Sequence, residues 1–527
     1  MSDGFNQNIV KRIASIDLGT NSFHAVIVDI MQDGSFRTID KLKEMVLLAE
    51  KGIGDRLSDA AIQRGIDALH KIKTLCDHQN TDKILAYATS AIREAENGGE
   101  FIQRVIDEIG LKINAIPGRV EAELIGLAVQ HGVKLPPTQP VMMMDIGGGS
   151  VEFILGDRDK FYFLKSKKLG VARMTASFVD YDPISLNEIK ALENHFANEL
   201  KDIAEAFASR RTDIVVGSSG TMENIAAMIA WRNNEKPSLS LNELEFTSSQ
   251  FFEFYDDVIK MNHQERAELK GLDEKRIDLL APGLILIRYV LKKFGIKKVI
   301  ISSQALREGI IIRYIRKEFP HLQNLFTDPD PRRRSVMELL NKCHWHEEHS
   351  RHVTNMALTI FEFLKDEIEL RDSDRELLEF ASYLHDIGYH ISHRKHHKHA
   401  LYLIRNADLK GFKEHEIEII ANVARYHRRS TPKSRHKYYD RLSPGLKKRI
   451  KKLSAILRVA DGLDRSHYQN VRHLNLLQDS DTITIKMLTE SDPELEIWGA
   501  KRKSTLFEEV TGKKLEIIPV EEEVIAI

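Results

Sequence analysis

Cysteine is nearly absent from this chain. There are two in 527 residues, Cys76 and Cys343, far apart and in no metal-type spacing. That argues against a disulfide framework and fits a reducing compartment. A surplus of one charge is lacking too. Lys and Arg number 77 against 78 Asp and Glu, a formal net charge of -1. Total charge therefore names no polyanionic partner, and any such partner must be read from local clusters. Long apolar runs are also missing. The longest, such as residues 281–291, are broken by Pro282, Gly283 and Arg288 and are too short to span a bilayer. The N-terminal segment is polar and has no signal-peptide core. These absences predict a soluble, cytoplasmic protein with no membrane attachment. What is present is ordinary: 42% hydrophobic and 29% charged residues, with length enough for about three to four domains.

One pattern occurs twice. Residues 13–16 are apolar, Asp17-Leu18-Gly19-Thr20-Asn21-Ser22 reads as a turn, and an apolar run resumes at Phe23. Residues 141–144, then Asp145-Ile146-Gly147-Gly148-Gly149-Ser150, then residues 151–155 repeat it. Both turns read Asp-x-Gly-x-x-Ser. So wide an offset marks a duplicated lobe rather than a solenoid repeat. Short strands alternate with helices around these turns, which predicts α/β lobes. Thr327-Asp328-Pro329-Asp330-Pro331 reads as a linker. Beyond it, residues 333–470 read as nearly all helical, and the tail alternates before ending in a helix and a strand. The expected domains are residues 1–134 and 135–326 (two α/β lobes), 327–475 (helical) and 476–527 (a small α+β tail).

A strand ending in Asp, followed by a Gly-rich turn with Ser or Thr, aims successive backbone N–H groups into one concavity, where they bind an anion. Glycine lets the backbone approach a phosphate closely. The strand-end Asp17 and Asp145 would hold a divalent cation or its waters. No Gly-Lys-Ser/Thr follows, so neither turn is a Walker A loop. A single such turn is explained as well by a tight hairpin; two matched copies favour a clamp on a phosphate chain. Hydrolysis also needs a positioned water and a base. Glu121, at a helix start after residues 113–116, is the candidate, although on residue physics alone a first-turn carboxylate is better explained as a partner of the helix dipole.

Further motifs carry a resemblance. Ser15–Ser22, Ala88-Thr89-Ser90-Ala91-Ile92-Arg93-Glu94, Gly118–Leu124, Asp145–Glu152 and Gly217–Thr221 stand in the order and spacing of the exopolyphosphatase/guanosine-pentaphosphatase family. Gly271-Leu272, Arg276, Asp278, Pro282-Gly283 and Leu306-Arg307-Glu308-Gly309 continue it. The resemblance implies two actin-like lobes of ribonuclease-H type, and hydrolysis of a terminal phosphoanhydride of polyphosphate or of guanosine pentaphosphate. It implies Glu121 as general base and phosphate contacts from Thr20, Asn21, Ser22, Arg93, Gly148, Gly149 and Ser150. Asp145 and Glu152, with Asp17, become the magnesium-side carboxylates. It also implies a homodimer. Where the family carries two adjacent glutamates, this chain has Val120 and then Glu121, which aligns with the second.

The helical part holds a separate constellation. Val353, Met356, Ala357, Ile360 and Leu364 form an apolar stripe that His349 extends; Leu377, Leu378, Ala381 and Leu384 form another, continued by His385 with Asp386 beside it. Asp461 edges a third stripe of Ile450, Leu453, Leu457 and Ala460. A buried His is often only a satisfied core residue, but an unpaired buried carboxylate is costly. Together they suggest a divalent metal site. The order His, His-Asp, Asp resembles the HD superfamily of metal-dependent phosphohydrolases, which implies His349, His385, Asp386 and Asp461 as ligands of a second divalent metal. His396, His397 and His399 either enlarge that site or stand mostly in solvent, and the interleaved Arg394, Lys395 and Lys398 favour solvent. The basic runs 425–435 and 447–452 read either as solvated faces or as contacts for a polyanion. Polyphosphate is favoured over nucleic acid, because no nucleic-acid motif accompanies them. Gly217–Thr221 would hold a nucleoside or merely turn the chain. Exopolyphosphatase activity is the leading expectation. The alternatives are a guanosine pentaphosphate phosphohydrolase, a phosphotransferase, and a regulator whose HD domain does the chemistry.

Overall fold

The computed structural model describes residues 9–48, 56–233, 241–325 and 330–520. Of the expected linker, only Asp330 and Pro331 lie among them. The chain divides into two compact units, Met1–Pro331 and Arg332–Ile527.

The first unit carries the same sheet plan twice. In one sheet, β1 (Ile9–Leu18), β2 (Ser22–Met31), β3 (Phe36–Met45), β4 (Lys83–Ala88) and β5 (Ile113–Ala115) lie in the order β3-β2-β1-β4-β5. β1, β2 and β3 are antiparallel, and β4 and β5 run parallel to β1. The other comprises β6 (Val141–Ile146), β7 (Val151–Gly156), β8 (Phe161–Lys167), β9 (Ile214–Ser218), β10 (Glu245–Thr247) and β11 (Lys298–Ile301), in the order β10-β11-β9-β6-β7-β8. Here β6–β8 are antiparallel, β9 and β11 are parallel to β6, and β10 is an added edge. β6 and β7 are buried at every position, which explains a sequence that is apolar except at Asp145 and Glu152. The two hairpins share one register: Asp17 faces His24, and Asp145 faces Glu152.

The repeats exchange helices. Gly118–Gly132 packs Ala122, Ile125 and Val129 against Met143 and Ile154 of the second sheet. Leu306–Glu318 lays Ile311, Tyr314 and Ile315 on Ile13, Val26 and Val28 of the first. The two helices cross so closely that a Cβ on Gly309 would sit 1.9 Å from the Leu124 carbonyl oxygen. The expected boundary at 134 therefore follows a helix that packs on the other sheet, while the one at 326 stands just before the division at Pro331. An apolar stripe announces that a helix is buried, not which sheet buries it.

The second unit is helical from Pro331–Lys342 to Pro444–Gly462 and ends in a small sheet. β12 (Val471–Gln478), β13 (Thr482–Thr489) and β14 (Lys514–Val520) lie in that order. β13 and β14 are parallel, and helices Glu494–Lys501 and Thr505–Thr511 supply the crossover that parallel pairing needs. Ile483, Ile485 and Met487 are fully buried in the same core as Leu457 and Phe361. The expected division at 475 is therefore no boundary in the packing. Among the described residues no helix is long and apolar enough to cross a membrane.

Candidate active site and metal cluster

The two glycine turns face each other. Each closes on itself, Gly19 N–H donating to the Ser22 carbonyl (3.2 Å) and Gly147 N–H to that of Ser150 (3.0 Å). The Asn21 side chain lies 3.1 Å from where a Cβ on Gly148 would stand. Among the described residues, the backbone N–H groups of Thr20, Asn21, Gly148 and Gly149 donate to no protein acceptor. The second turn is held from behind: Val171 N–H donates to the Gly147 carbonyl (3.0 Å) and Ala172 N–H to that of Gly148 (2.9 Å). The turn carbonyls are thus occupied and the amides are left for an anion. In the first turn, Thr20 Oγ1 is 3.3 Å from Ser90 Oγ, and Ser22 Oγ is 2.7 Å from His24 Nε2. Burial, with Arg307 assisting, lowers His24 to about 3. The ring is neutral, takes the Arg307 guanidinium on Nδ1 and donates from Nε2 to Ser22.

Buried carboxyl groups gather beside the turns. Glu121 is 6% exposed, and Arg93 Nη1 donates to its Oε2 (2.7 Å) and to the Ile116 carbonyl (2.9 Å). Arg93, expected on phosphate, here aims Glu121. Burial raises Glu121 to about 7 against the pull of Arg93, and burial raises Asp17 to about 7. Asp145 is raised by burial despite the Ser218 hydroxyl at 2.5 Å. Glu152 accepts from Ser166 Oγ (2.7 Å) and is raised well above the usual range by burial, then by Glu121 and Asp145. Asp17, Asp145 and Glu152 are therefore short of positive charge, the condition a divalent cation relieves, and their hard oxygens suit magnesium.

Sequence reasoning left out several residues that build this site. Glu94 binds Arg173 (2.7 Å), which in turn donates to the Gly149 carbonyl (3.1 Å). Gly217–Thr221 is more than a turn: Ser218 holds Asp145, Ser219 donates to the Ile146 carbonyl (3.0 Å), and Arg276 reaches Thr221 Oγ1 (3.2 Å). The missing Cβ of Gly220 makes room for that guanidinium, which would otherwise stand 2.2 Å from it. Arg276 and Arg307 lie in motifs already quoted, but no periodicity aims them at the turns.

In the second unit the structure brings His349, His385, Asp386 and Asp461 together. His349 Nδ1 is 2.6 Å from Asp464 Oδ2, and His385 Nδ1 is 2.6 Å from the Ser382 carbonyl. With the Nδ1 protons engaged, both Nε2 atoms face inward, 3.3 Å apart. Asp386 Oδ2 lies 3.8 and 3.6 Å from them, and Asp461 Oδ1 lies 3.8 Å from each. Lys503, from the tail, pairs with the other oxygen of Asp461. Histidines locked by carbonyl or carboxylate acceptors are the usual support of a metal site, and the set fits a divalent metal. The histidine tract is corrected: His396 and His397 are buried and His399 half-buried. His396 shares a stripe with Ala400 and Ile404, both fully buried, and that i, i+4, i+8 spacing was the available signal.

The two basic runs differ. Lys447 pairs with Asp440, Lys448 and Lys452 with Glu369, Arg449 with Asp374 and Lys451 with Glu509, so every cation of the second run has an acidic partner. Arg425 and Arg429 instead line a cavity of about 460 Å³ with Arg394, Lys395 and Lys398, and no acidic residue lines it.

Comparison with known proteins converges on one family. Residues 26–318 match the model of the Ppx/GppA phosphatase family, and residues 332–496 match Ppx/GppA phosphatase, domain III. The guanosine-5'-triphosphate,3'-diphosphate pyrophosphatase of Photobacterium profundum is 28% identical over 414 residues, 78% of this chain and 79% of the relative. The crystal structure of an exopolyphosphatase from Cytophaga hutchinsonii ATCC 33406 is similar with a TM-score of 0.55 and 30% identity, over 60% of this chain and 98% of its own. The Aquifex aeolicus member of the Ppx/GppA family gives 0.51 and 28%, over 59% and 99%.

Proposed function

Since this chain belongs to the Ppx/GppA phosphatase family, with an actin-like α/β first half, we propose that its first unit is an exopolyphosphatase with Glu121 as general base. The observation that carries this is the buried, Arg93-held Glu121 beside two facing turns with free amides. Thr20, Asn21, Ser22, Gly148, Gly149 and Ser150 hold the terminal phosphates. Asp17, Asp145 and Glu152 hold magnesium, which supplies neutralising charge to phosphate oxygens when bound. Glu121 takes a proton from a water, whose oxygen bonds to the terminal phosphorus as the bridging P–O bond breaks and its electron pair leaves with the shortened chain. A carboxyl near 7 suits a base working close to neutrality. The cavity lined by Arg425 and Arg429 binds a polyanion in the second unit, with the salt dependence of counterion release.

Phosphate release from long-chain polyphosphate and from guanosine pentaphosphate, each with magnesium, tests this reading. A higher kcat/KM on polyphosphate is expected; preference for the nucleotide would overturn it in favour of the second reading, which the Photobacterium relative supports. A regulator whose second unit does the chemistry would lose hydrolysis in His385→Ala or Asp386→Ala and keep it in Glu121→Gln.

Two pH effects follow. Arg93 pulls Glu121 down against burial, Asp145 and Glu94, so Arg93→Ala raises the Glu121 pKa further. The acidic limb of the kcat/KM profile should move to higher pH; an unmoved limb excludes Glu121 as the titrating base. Asp17 and Glu121, both about 7, keep protons in the fold that an unfolded carboxyl has lost. Their contribution therefore falls as pH rises from about 4 to 7. Magnesium offsets that loss only where the carboxyls are ionised, so its thermal stabilisation should be larger at pH 8 than at pH 5. Equal shifts would argue against Asp17, Asp145 and Glu152 as the magnesium ligands.

A further inference from the structure

The helix His396–Asn406 begins against the electrostatics of helices. A helix start is the positive end of the dipole and favours acidic side chains and hydrogen-bond acceptors. Here the cap residue is Lys395, no side chain caps the first turn, and no acidic residue stands in it. Arg394 precedes the cap and Lys398 follows it. Among the described residues, the amides of His396 and His397 donate to no protein acceptor. Lys395 is also held at φ 63° and ψ 25°, left-handed angles that a lysine avoids. Arg429, at φ 57°, is held in the same way. Lys395 and Arg429 both line the cavity of about 460 Å³, with Arg394, Lys398 and Arg425. None of these five cations forms an ion pair with a described residue, whereas every cation of the run 447–452 does. His397 lines the cavity too. It is 6% exposed, and neither ring nitrogen has a hydrogen-bond partner among the described residues. Buried polar groups are normally paired. Unpaired cations, open helix amides and a buried, unpaired imidazole together leave this cavity short of an anion.

The lining also selects the anion. Its remaining side chains are Tyr426, Ser430 and His436, with no carboxylate or carboxamide to accept from a nucleobase. The Tyr426 ring offers a base no free platform, because it already carries the Arg425 guanidinium at 5.2 Å and the stacked His436 ring at 5.6 Å. The cations converge on one volume of small-molecule size, and the other basic run has its charges taken. We propose that this cavity binds a short condensed phosphate, of the pyrophosphate or tripolyphosphate kind, which completes the start of the helix His396–Asn406. This narrows the polyanion reading of the cavity, on which it rests, to chains of a few units. Phosphate oxygens accept from the His396 and His397 amides, from the His397 ring and, in charge-assisted hydrogen bonds, from the lysines and arginines. The ligand supplies the negative charge that the sequence of the first turn withholds. Stepwise release of terminal phosphate leaves such short chains behind, so the reaction proposed for the first unit supplies the ligand.

The full chain carrying Glu121→Gln, kept in chelator so that nothing is hydrolysed, tests this by titration calorimetry. Tripolyphosphate should bind with one equivalent more than in the same chain with Arg425→Ala and Arg429→Ala, and the affinity of that equivalent should fall with salt. Lys395→Gly in the same chain supplies a second readout. Glycine accepts the left-handed angles, so without ligand this variant should melt at a higher temperature than its parent. It should also bind tripolyphosphate about tenfold more weakly, for the loss of a charge-assisted contact. Circular dichroism establishes that the variants are folded, and if the double arginine variant is not, Lys395→Gly decides. Equal equivalents, or Lys395→Gly binding as tightly as its parent, overturn the site together with the polyanion reading of the cavity and leave the reading of the first unit untouched. A lower melting temperature in Lys395→Gly places that lysine there for the fold and overturns the ligand's part in the helix start. If the arginine substitutions weaken long-chain polyphosphate and leave tripolyphosphate unaffected, the polyanion reading stands and the short-chain ligand is overturned. A nucleoside triphosphate held in the cavity more tightly than tripolyphosphate overturns it as well.

Discussion

Glu121→Gln is expected to lower kcat for phosphate release by about 10²–10⁴-fold, the usual contribution of a general base, while polyphosphate still binds. The substitution removes the proton acceptor and keeps the shape of the side chain. Arg93 can still donate to the amide oxygen at the position of Oε2, so the water pocket and the turns stay in place. Binding depends on the free amides of the two turns, which the substitution does not touch. KM should therefore change far less than kcat, the signature of an interaction made chiefly in the transition state. The two readouts divide the possibilities. A fall in affinity as large as that in rate would make Glu121 a binding or structural group. Retention of more than about a tenth of the wild-type rate would rule out the general-base role.

That test also bears on a one-residue choice. The family pattern places two glutamates where this chain has Val120 and Glu121. In the helix Gly118–Gly132, Glu121 is turned inward and buried while Val120 is half-buried. Helical phase thus favours the position selected by alignment. Phase alone could not identify the partner, because Arg93 comes from a different helix, Ser90–Glu94.

How far the sequence could be read depended on whether a feature is local. The two turns, their strand flanks and the repeat they imply rest on adjacent residues, and the shared register of Asp17–His24 and Asp145–Glu152 follows from a hairpin of fixed length. The helix exchange was hidden, because stripes such as Ile311 and Ile315 specify burial without naming the sheet. Ser166, Ser218, Arg276 and Arg307 were hidden for the same reason: strand pairing and loop paths bring them to the site. In the second unit, His349, His385, Asp386 and Asp461 stood on visible stripes. His396 and His427 also lie on such stripes, with Ala400 and Ile404 and with Ile420 and Val423, but the interleaved Lys and Arg residues weighted the reading of the histidine tract toward solvent. Lys503, reaching Asp461 from the tail, had no local signal at all.

Gly170→Ala should be the most damaging change made outside the reacting groups. Backbone angles do not require this glycine, since φ -60° and ψ 147° are open to any residue. Space does. A Cβ would stand 2.4 Å from the carbonyl carbon and oxygen of Gly148 and from the carbonyl carbon of Gly149. These are backbone atoms of the second phosphate turn and have no rotamer to escape into. Nor can the turn move alone, because the Gly147 and Gly148 carbonyls accept from Val171 and Ala172, in the helix that Gly170 precedes. Ordinary contact requires a retreat of about an ångström, and a misplacement of that size costs on the order of 10² in rate. The expected result is a fall of about that factor in kcat/KM, with a stability loss of about 1–3 kcal/mol from overpacking. Gly99→Ala, whose Cβ would meet nothing within 4 Å, supplies the control and should leave activity unchanged. If Gly170→Ala hydrolyses polyphosphate as well as that control does, the second turn does not hold the terminal phosphate. The clamp would then reduce to the turn at Asp17, and the matched spacing at Asp145 would be a relic of the duplicated fold.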